Sequence, residues 1–171
     1  HTVSSLFGRV TYDFDEKYLF TGIVRRDGSS RFGSNNKYGY FPSASLGWVP
    51  SREEFWPANQ VVNTLKVRGS YGIVGNDNLG DFRYVSTVGP NRNYVFGYDN
   101  YYIGYSPDAP ANPDLRWEET SQLNLGLDAV LFENFNFTFD WYKKKTSGIL
   151  QTIALPGYVG STGSPWGNVA D

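Results

Sequence analysis

The sequence predicts an all-β protein, an antiparallel segment of a transmembrane β-barrel with about six strands. Three observations support this class. Apolar and polar residues alternate along several segments, the clearest segments are ten residues long, and the connections between them alternate between short and long. Strands of roughly 9–11 residues cross a bilayer at a tilt, whereas strands of soluble proteins are usually about 5–6 residues long.

The strongest alternation lies between Trp117 and Lys145. From Gln122 to Leu131 the odd positions are apolar or small, and the even positions as far as Asp128 are polar or glycine. After the turn 132–134 large side chains again alternate with polar ones: Phe135, Phe137, Phe139 and Trp141 against Asn136, Thr138, Asp140 and Tyr142. Two strands of period two joined by a short turn form a hairpin. We predict that its apolar face contacts lipid and its polar face lines a lumen.

Four earlier segments show the same period of two. The predicted strands are 6–14, 18–25, 42–48 and 65–73. The charged turn 15–17 joins the first two into a second hairpin. Strand 18–25 carries large apolar residues at both phases, so alternation alone leaves its facing open.

The connections predict how the strands are arranged. Turns 15–17 and 132–134 are short, whereas 26–40 and 75–116 are long and rich in glycine, asparagine and serine, which predicts loops. Bacterial barrels place short turns on the periplasmic rim and long loops outside. The link 51–62 is a long connection on the short rim, and its Ser51-Arg52-Glu53-Glu54 is compatible either with a capping box for one helical turn or with irregular structure.

Aromatic side chains are placed where a membrane would have its interfaces. Five of them fall near the predicted periplasmic rim: Tyr12, Phe14, Tyr18, Trp48 and Phe132. Trp117 and Trp141 fall near the outer rim on the lipid-facing phase, and Lys143 and Lys145 continue the face of Trp141. These lysines either extend toward lipid phosphates or form an ordinary solvated strand end.

Composition argues against several other classes. The chain has no cysteine, and its net charge of -2 gives no electrostatic footprint for nucleic acid. The sole histidine is His1, so neither a Ser-His-Asp set nor a histidine metal site is expected. The carboxylate pairs Glu53-Glu54 and Glu118-Glu119 are sequence neighbours, which point to opposite faces of a strand. We therefore expect no enzyme activity, no cofactor and no metal, and in Asn76–Asp81 Leu79 interrupts the spacing of a calcium loop.

Two groups of loop residues are candidate binding elements. Six aromatic rings offer stacking faces to sugars or contacts to a protein, or they pack the loop onto itself: Tyr94, Phe96, Tyr98, Tyr101, Tyr102 and Tyr105. Arg25, Arg26, Asp27 and Arg31 gather where the second strand ends. They either bind an anion or, as we favour, pair with one another and with nearby charges.

Several segments resemble the SusC/RagA family of TonB-dependent outer-membrane transporters. They occur in the family's order and cover most of the chain: GRVTYD (8–13), KYL (17–19), RDGSSRFG (26–33), YFPSASLGW (40–48), LKVRGSYG (65–72), GN (75–76), NPDLRWE (112–118) and YKKKT (142–146). The end of the chain, 168–171, departs slightly, because glycine usually follows the valine in the family.

The resemblance implies a large, plugged barrel, of the roughly 22-stranded kind, of which 1–171 is a part without the plug. It implies import of oligosaccharides or peptides with a SusD-like surface lipoprotein, energised by the TonB–ExbB–ExbD complex through other parts of the protein. The location implied is the outer membrane, among its lipids, of a Gram-negative, Bacteroidetes-like bacterium. The family supplies no residue-level binding site for these segments, so no site residues are carried over.

Two other classes fit the alternation alone, a secreted all-β carbohydrate-binding or adhesin module and, less well, a glycoside hydrolase sandwich. Either would turn its apolar faces inward. The chain begins within a strand pattern and lacks the features of a signal peptide, which predicts an internal piece of a larger protein.

Overall fold

The computed structural model describes residues 1–57, 61–90, 92–97, 100–161 and 163–170. Nearly half of these residues belong to one antiparallel sheet of six long strands. In their order across the sheet, its strands are β1 (Val3–Phe14), β2 (Tyr18–Ser29), β3 (Tyr38–Trp48), β4 (Val62–Asn76), β9 (Glu118–Leu131) and β10 (Phe135–Ser147). The all-β prediction and its six long strands are confirmed, and within the described residues no helix has the length and apolar character needed to cross a membrane.

Short strands lie at one end of this sheet. They form three two-stranded ribbons, β5–β8, β6–β7 and β11–β12. Their bounds are β5 (Val88–Gly89), β6 (Tyr94–Phe96), β7 (Asn100–Tyr102), β8 (Ser106–Pro107), β11 (Leu150–Thr152) and β12 (Trp166–Asn168). The region 75–116, which we predicted as a loop, therefore holds four short strands.

The register aligns the apolar residues of all six long strands on one face. Residues directly opposite each other in a ladder share a face. One such row crosses the whole sheet through Tyr12, Phe20, Leu46, Gly69, Leu125 and Trp141. The neighbouring row on the other face runs through Asp13, Leu19, Gly47, Arg68, Gly126 and Asp140. This settles the facing of β2, whose Phe20 and Val24 lie on the apolar face.

The apolar face is exposed along its length, with Val10 65% exposed, Leu46 64% exposed and Leu125 50% exposed. A secreted sandwich would have covered these side chains with a second layer. Exposed side chains on a strand-long apolar face instead fit contact with lipid.

Two tight turns close one end of the sheet. Asp15 and Glu16 have φ of 52° and 53°, and Phe132 and Glu133 have φ of 51° and 63°. Paired left-handed residues are the geometry of a type I′ turn, which matches the right-handed twist of the flanking strands. Neither turn contains glycine, so both hairpins form without the sequence signal that usually marks this turn.

The connection between β3 and β4, at the same end, contains a short helical turn but not the capping box that was one of the two predicted alternatives. Pro50–Arg52 is a 3-10 turn with no side-chain cap. The Ser51 hydroxyl instead accepts a hydrogen bond from the Leu65 amide at 3.0 Å, so the capping box is wrong. The Glu53 carboxylate accepts hydrogen bonds from the Tyr18 hydroxyl and the Trp48 indole and lies near Lys17, and these contacts lower the pKa of Glu53.

Strands β2, β3 and β4 are longer than predicted, and the loop between β2 and β3 shrinks to 30–37. Asp27 and Ser29 are residue types that favour turns, yet they are 5% and 0% exposed. Asp27 is held by an ion pair with Arg25 at 2.7 Å, and Ser29 donates a hydrogen bond to Asp77 at 2.8 Å. These contacts provide an ion-pair partner for Asp27 and a hydrogen-bond partner for Ser29 within the longer strand β2.

Arginine is expected to destabilise the barrel far more on the lipid face of β9 than on its polar face. In the full-length protein Leu125→Arg should destabilise the membrane-inserted barrel by about 2–4 kcal/mol, because position 125 lies midway along the lipid face. Asn124→Arg, on the adjacent polar face, is the matched control and should have a much smaller effect. Urea unfolding in lipid vesicles measures both, and equal losses of stability would contradict the assigned facing.

Candidate functional site: the polar face and the loop-end cluster

An arginine bridges three strands on the polar face. Arg68 on β4, Gly126 on β9 and Asp140 on β10 lie directly opposite one another. Arg68 Nε donates to Asp128 at 3.0 Å, and its Nη2 lies 2.7 Å from Asp140 Oδ1. A Cβ at position 126 would lie 2.6 Å from Arg68 Cζ. A larger residue there would displace the guanidinium, which crosses β9 over this glycine.

Polar side chains continue from this bridge along the same face. Asn124 donates to Ser70 at 3.2 Å and accepts from Gln122 at 2.8 Å. A shallow depression is lined by this region together with Thr21, Ser45 and Lys66. Arg68 is already shared by two carboxylates, so its guanidinium is not free to bind an anion, and the face offers hydrogen-bonding groups to a hydrated lumen.

The arginines at the end of β2 separate into two groups. Arg25 pairs with Asp27, and Arg31 Nε donates to Asp81 at 3.1 Å, which confirms the predicted mutual pairing for these two residues. Arg26 lies on the opposite face, across from Tyr40 and Leu6. Its guanidinium carbon is 4.0 Å from the centre of the Tyr38 ring.

A buried aromatic cluster lies at the loop end of the sheet. It consists of Phe32, Phe41, Leu79, Leu115 and Trp117, with Ile73, Tyr84, Leu150 and Trp166 packed against it. The Trp117 ring centroid is 5.1 Å from that of Phe32 and 5.4 Å from that of Phe41. Trp117 is 7% exposed, so its predicted place in a lipid-facing girdle is wrong. Trp141, 45% exposed in the apolar row, has the predicted lipid-facing phase, but it lies opposite Leu125 midway along the sheet and not near the outer rim.

This cluster joins three segments that are distant in sequence. Phe32 comes from the β2–β3 loop, Leu115 and Trp117 from the β4–β9 connection, and Trp166 from the segment after β10. Asn168 reinforces the junction by donating to the carbonyl oxygens of Arg116 at 2.9 Å and Gly148 at 2.7 Å. The loops are thereby packed onto one another and onto Phe41 of the barrel wall.

The sole histidine lies beside a serine and an aspartate without forming a catalytic set. His1 Nε2 is 3.2 Å from Asp77 Oδ2 and 3.5 Å from Ser29 Oγ, while Ser29 itself donates to Asp77. A relay requires the aspartate and the serine on different ring nitrogens, and here both face the same one. Across the described residues, no group of three or more acidic or histidine side chains is placed to hold a metal ion.

The carboxylate pairs are used in local contacts. Glu118 accepts hydrogen bonds from Asn76 at 3.1 Å and from the Leu150 amide at 3.2 Å. Glu53 and Glu54 lie outside any strand, which corrects the assumption that each pair is set apart by strand alternation.

The aromatic residues of the long connection form an exposed hairpin. Tyr94 and Tyr102 are opposite each other on β6 and β7, and Phe96 packs edge-on against both at 5.1 and 5.9 Å. Tyr101 is 66% exposed and Tyr105 67% exposed. The rings therefore partly pack on one another and still present a large aromatic surface; Tyr98 lies outside the described residues.

A sheet with one apolar and one polar face, short turns at one end and long loops at the other is the wall of a bacterial outer-membrane β-barrel. Residues 1–171 match the family described as TonB dependent receptor-like, beta-barrel. The chain belongs to this family, and the SusC/RagA resemblance is confirmed.

Individual relatives agree with the family. The chain is 42% identical over 161 residues to TonB-dependent receptor P39 of Formosa agariphila, covering 94% of this chain and 15% of that protein. It is 41% identical to TonB-dependent receptor SusC of Bacteroides thetaiotaomicron, covering 91% of this chain and 16% of that protein. A solved structure of the RagAB peptide transporter superposes with a TM-score of 0.83 at 33% identity, over 98% of this chain and 18% of that one. The chain thus spans only a small part of the length of these proteins.

Removing the central ring of the cluster should release the loops from the wall. Trp117→Ala in the full-length protein leaves a large cavity among Phe32, Phe41 and Leu115, and truncating a buried tryptophan removes about 3–5 kcal/mol of packing. Limited proteolysis should then cut the loops 30–37 and 77–117 several-fold faster. The control Trp141→Ala removes a ring that has none of these neighbours and should leave the rate of loop cleavage unchanged. Equal rates of loop cleavage in the two variants would contradict the conclusion that Trp117 holds the loops against the wall.

Proposed function

We propose that residues 1–171 are part of the barrel wall of a TonB-dependent outer-membrane importer of oligosaccharides or peptides. The observation that carries the proposal is the match of the whole chain to the TonB-dependent receptor barrel, together with its similarity to SusC and to the RagAB peptide transporter. The proposed role is transport and not catalysis.

The two faces of the sheet fit this role. The apolar face contacts the lipids of the outer membrane, and the polar face around Arg68 and Asn124 borders the route of the substrate or the plug that fills a large barrel. In the described structure β1 and β10 are the two edges of the sheet. Sheet edges are not tolerated in hydrocarbon, so further strands of the protein would pair with them and close the barrel.

Energy and partners come from outside this segment. We propose that other parts of the protein contact the TonB–ExbB–ExbD complex, and that a SusD-like lipoprotein covers the loop end. The source would be a Gram-negative, Bacteroidetes-like bacterium, as the similarity to proteins of Formosa agariphila and Bacteroides thetaiotaomicron supports.

The exposed β6–β7 hairpin is the proposed contact for the lipoprotein. Rigid aromatic rings give large contact areas at low entropic cost, and tyrosine also supplies a hydroxyl for hydrogen bonding. Tyr101 and Tyr102 present one such ring on each face of this hairpin at the loop end, 66% and 55% exposed.

Deleting the gene in its source organism should abolish growth on one nutrient class supplied as sole carbon or nitrogen source, either oligosaccharides or peptides. Loss of TonB should reproduce the defect, because the outer membrane has no energy source of its own. Restoring the full-length gene is the control. Unaltered uptake of both nutrient classes in the deletion strain would contradict the proposed import.

Replacing the hairpin tyrosines tests the lipoprotein contact separately. Tyr101→Ser/Tyr102→Ser should reduce co-purification of the lipoprotein with the full-length protein, because two aromatic contacts are lost. Tyr158→Ser, at a position 89% exposed in another loop, is the matched control. Recovery equal to that of the control would remove the hypothesis for this pair.

A further inference from the structure

Three basic side chains lie on the lipid face near the loop end of the sheet: Arg26, Lys143 and Lys145. The register places each of them there, because Arg26 is opposite Leu6 and Tyr40, and Lys143 is opposite Leu123. Lys145 follows on the same face by strand alternation. Lys144, between the two lysines, lies on the polar face opposite Gln122.

The three side chains lie at similar heights in the membrane. Arg26 comes eight positions after Tyr18, where β2 leaves its turn, and Lys143 comes eight positions after Phe135, where β10 begins. With a rise of about 3.3 Å per residue and a tilt of roughly 35–45°, this corresponds to about 20 Å above the short-turn end, and to about 25 Å for Lys145. The apolar band of such barrels is about 25 Å tall, so Lys145 lies at its outer edge. The backbones of Arg26 and Lys143 lie about 5 Å below that edge, a distance that their long side chains span.

Arg26 is held in place by two aromatic rings. Its guanidinium carbon lies 4.0 Å from the Tyr38 ring centre and 5.9 Å from that of Tyr40, so the two rings limit its motion. Its Nε is buried and has no hydrogen-bond partner among the described residues. The two rings are themselves 49% and 62% exposed, and they extend the apolar surface next to the charge.

The charge on this part of the face is positive. On the lipid face of the six long strands there is one acidic side chain, Glu119, which lies opposite Ser147. Within the described residues, Glu119 forms no ion pair of 4.0 Å or less with Lys143 or Lys145. The ion pairs that are present there involve other side chains. Three cations therefore face one carboxylate at the level of the lipid headgroups.

We propose that this basic girdle, defined by Arg26, Lys143 and Lys145, binds the phosphate groups of outer-leaflet lipids. The long loops mark the extracellular rim, so the headgroups at this height belong to the outer leaflet. Arginine and lysine are the side chains that bind phosphate, arginine through its fork of donors and lysine as a point charge. A lipid also fits the apolar surface just below the charges, which a free phosphate ion does not use.

The girdle comprises two separate positions. Arg26 on β2 and the lysines on β10 are four strand spacings apart, about 19 Å across the sheet. A single headgroup does not span that distance, so each position binds its own lipid. The inference depends on the barrel fold and its orientation, and it is independent of which nutrient is imported.

The test uses the full-length protein in detergent, titrated with lipid A and followed by native mass spectrometry. Each basic side chain near a membrane surface adds roughly five-fold in affinity for anionic lipid. Lys143→Gln/Lys145→Gln should therefore weaken lipid A binding at the β10 position by about 25-fold, and Arg26→Gln should weaken it at the β2 position by about five-fold. Each variant should then retain the lipid A bound at the other position. Lys144→Gln is the matched control and should leave binding unchanged, because that side chain faces the lumen.

Two further probes identify the source of the phosphate. Lipid A stripped of its phosphates should bind the wild-type protein and the double lysine variant equally weakly, and inorganic phosphate at millimolar concentration should not displace intact lipid A. Thermal unfolding of each variant in detergent confirms that it is folded, and the Arg26 and lysine variants test the two positions independently. Equal binding of lipid A by wild type and both variants, indifference to lipid phosphorylation, or displacement by inorganic phosphate would overturn the proposal.

Discussion

The ladder register is the constraint on which the rest of the structure depends. In hydrocarbon every backbone donor and acceptor of a strand has to pair with a neighbouring strand, while successive side chains point to opposite faces. A slip of one residue in the β4–β9 ladder would exchange the faces on one side of it and move either Arg68 or both Asp128 and Asp140 into lipid. The unbroken apolar row from Tyr12 to Trp141 shows that all five ladders obey one alignment.

Glycine residues leave space for large side chains to reach across the aligned strands. Because Gly126 carries no side chain, Arg68 reaches over β9 to Asp140 and ties three strands together. At the loop end, Gly39 and Gly75 leave space for the ring of Phe41, since a Cβ at either position would overlap it. Phe41 in turn contacts Trp117, so the loops are packed against the wall through a strand residue.

Local patterns in the sequence were sufficient for the facing of the long strands other than β2 and insufficient for the ends of the strands. Alternation identifies Leu125 and Trp141 as one face because the signal lies within a few residues. Asp27, Gly28 and Ser29 have the composition of a turn, and their place in β2 depends on partners such as Asp77, which are far along the chain. Trp117 has the phase of a lipid-facing residue by counting from β9. That strand begins only at Glu118, and Phe32, which buries the ring, is distant in sequence.

The run Lys143-Lys144-Lys145 shows how one short sequence serves two environments. Alternation sends Lys144 to the polar face, where charge is solvated by the lumen, and its two neighbours to the lipid face. Charge on the lipid face is tolerated only near an interface, because its free-energy cost rises toward the midplane. The position of the run at the end of β10, and of Arg26 near the end of β2, therefore follows from the same depth rule. The dependence on depth explains why a charged side chain is tolerated near the ends of β2 and β10. It does not by itself explain why Arg26 stacks on Tyr38.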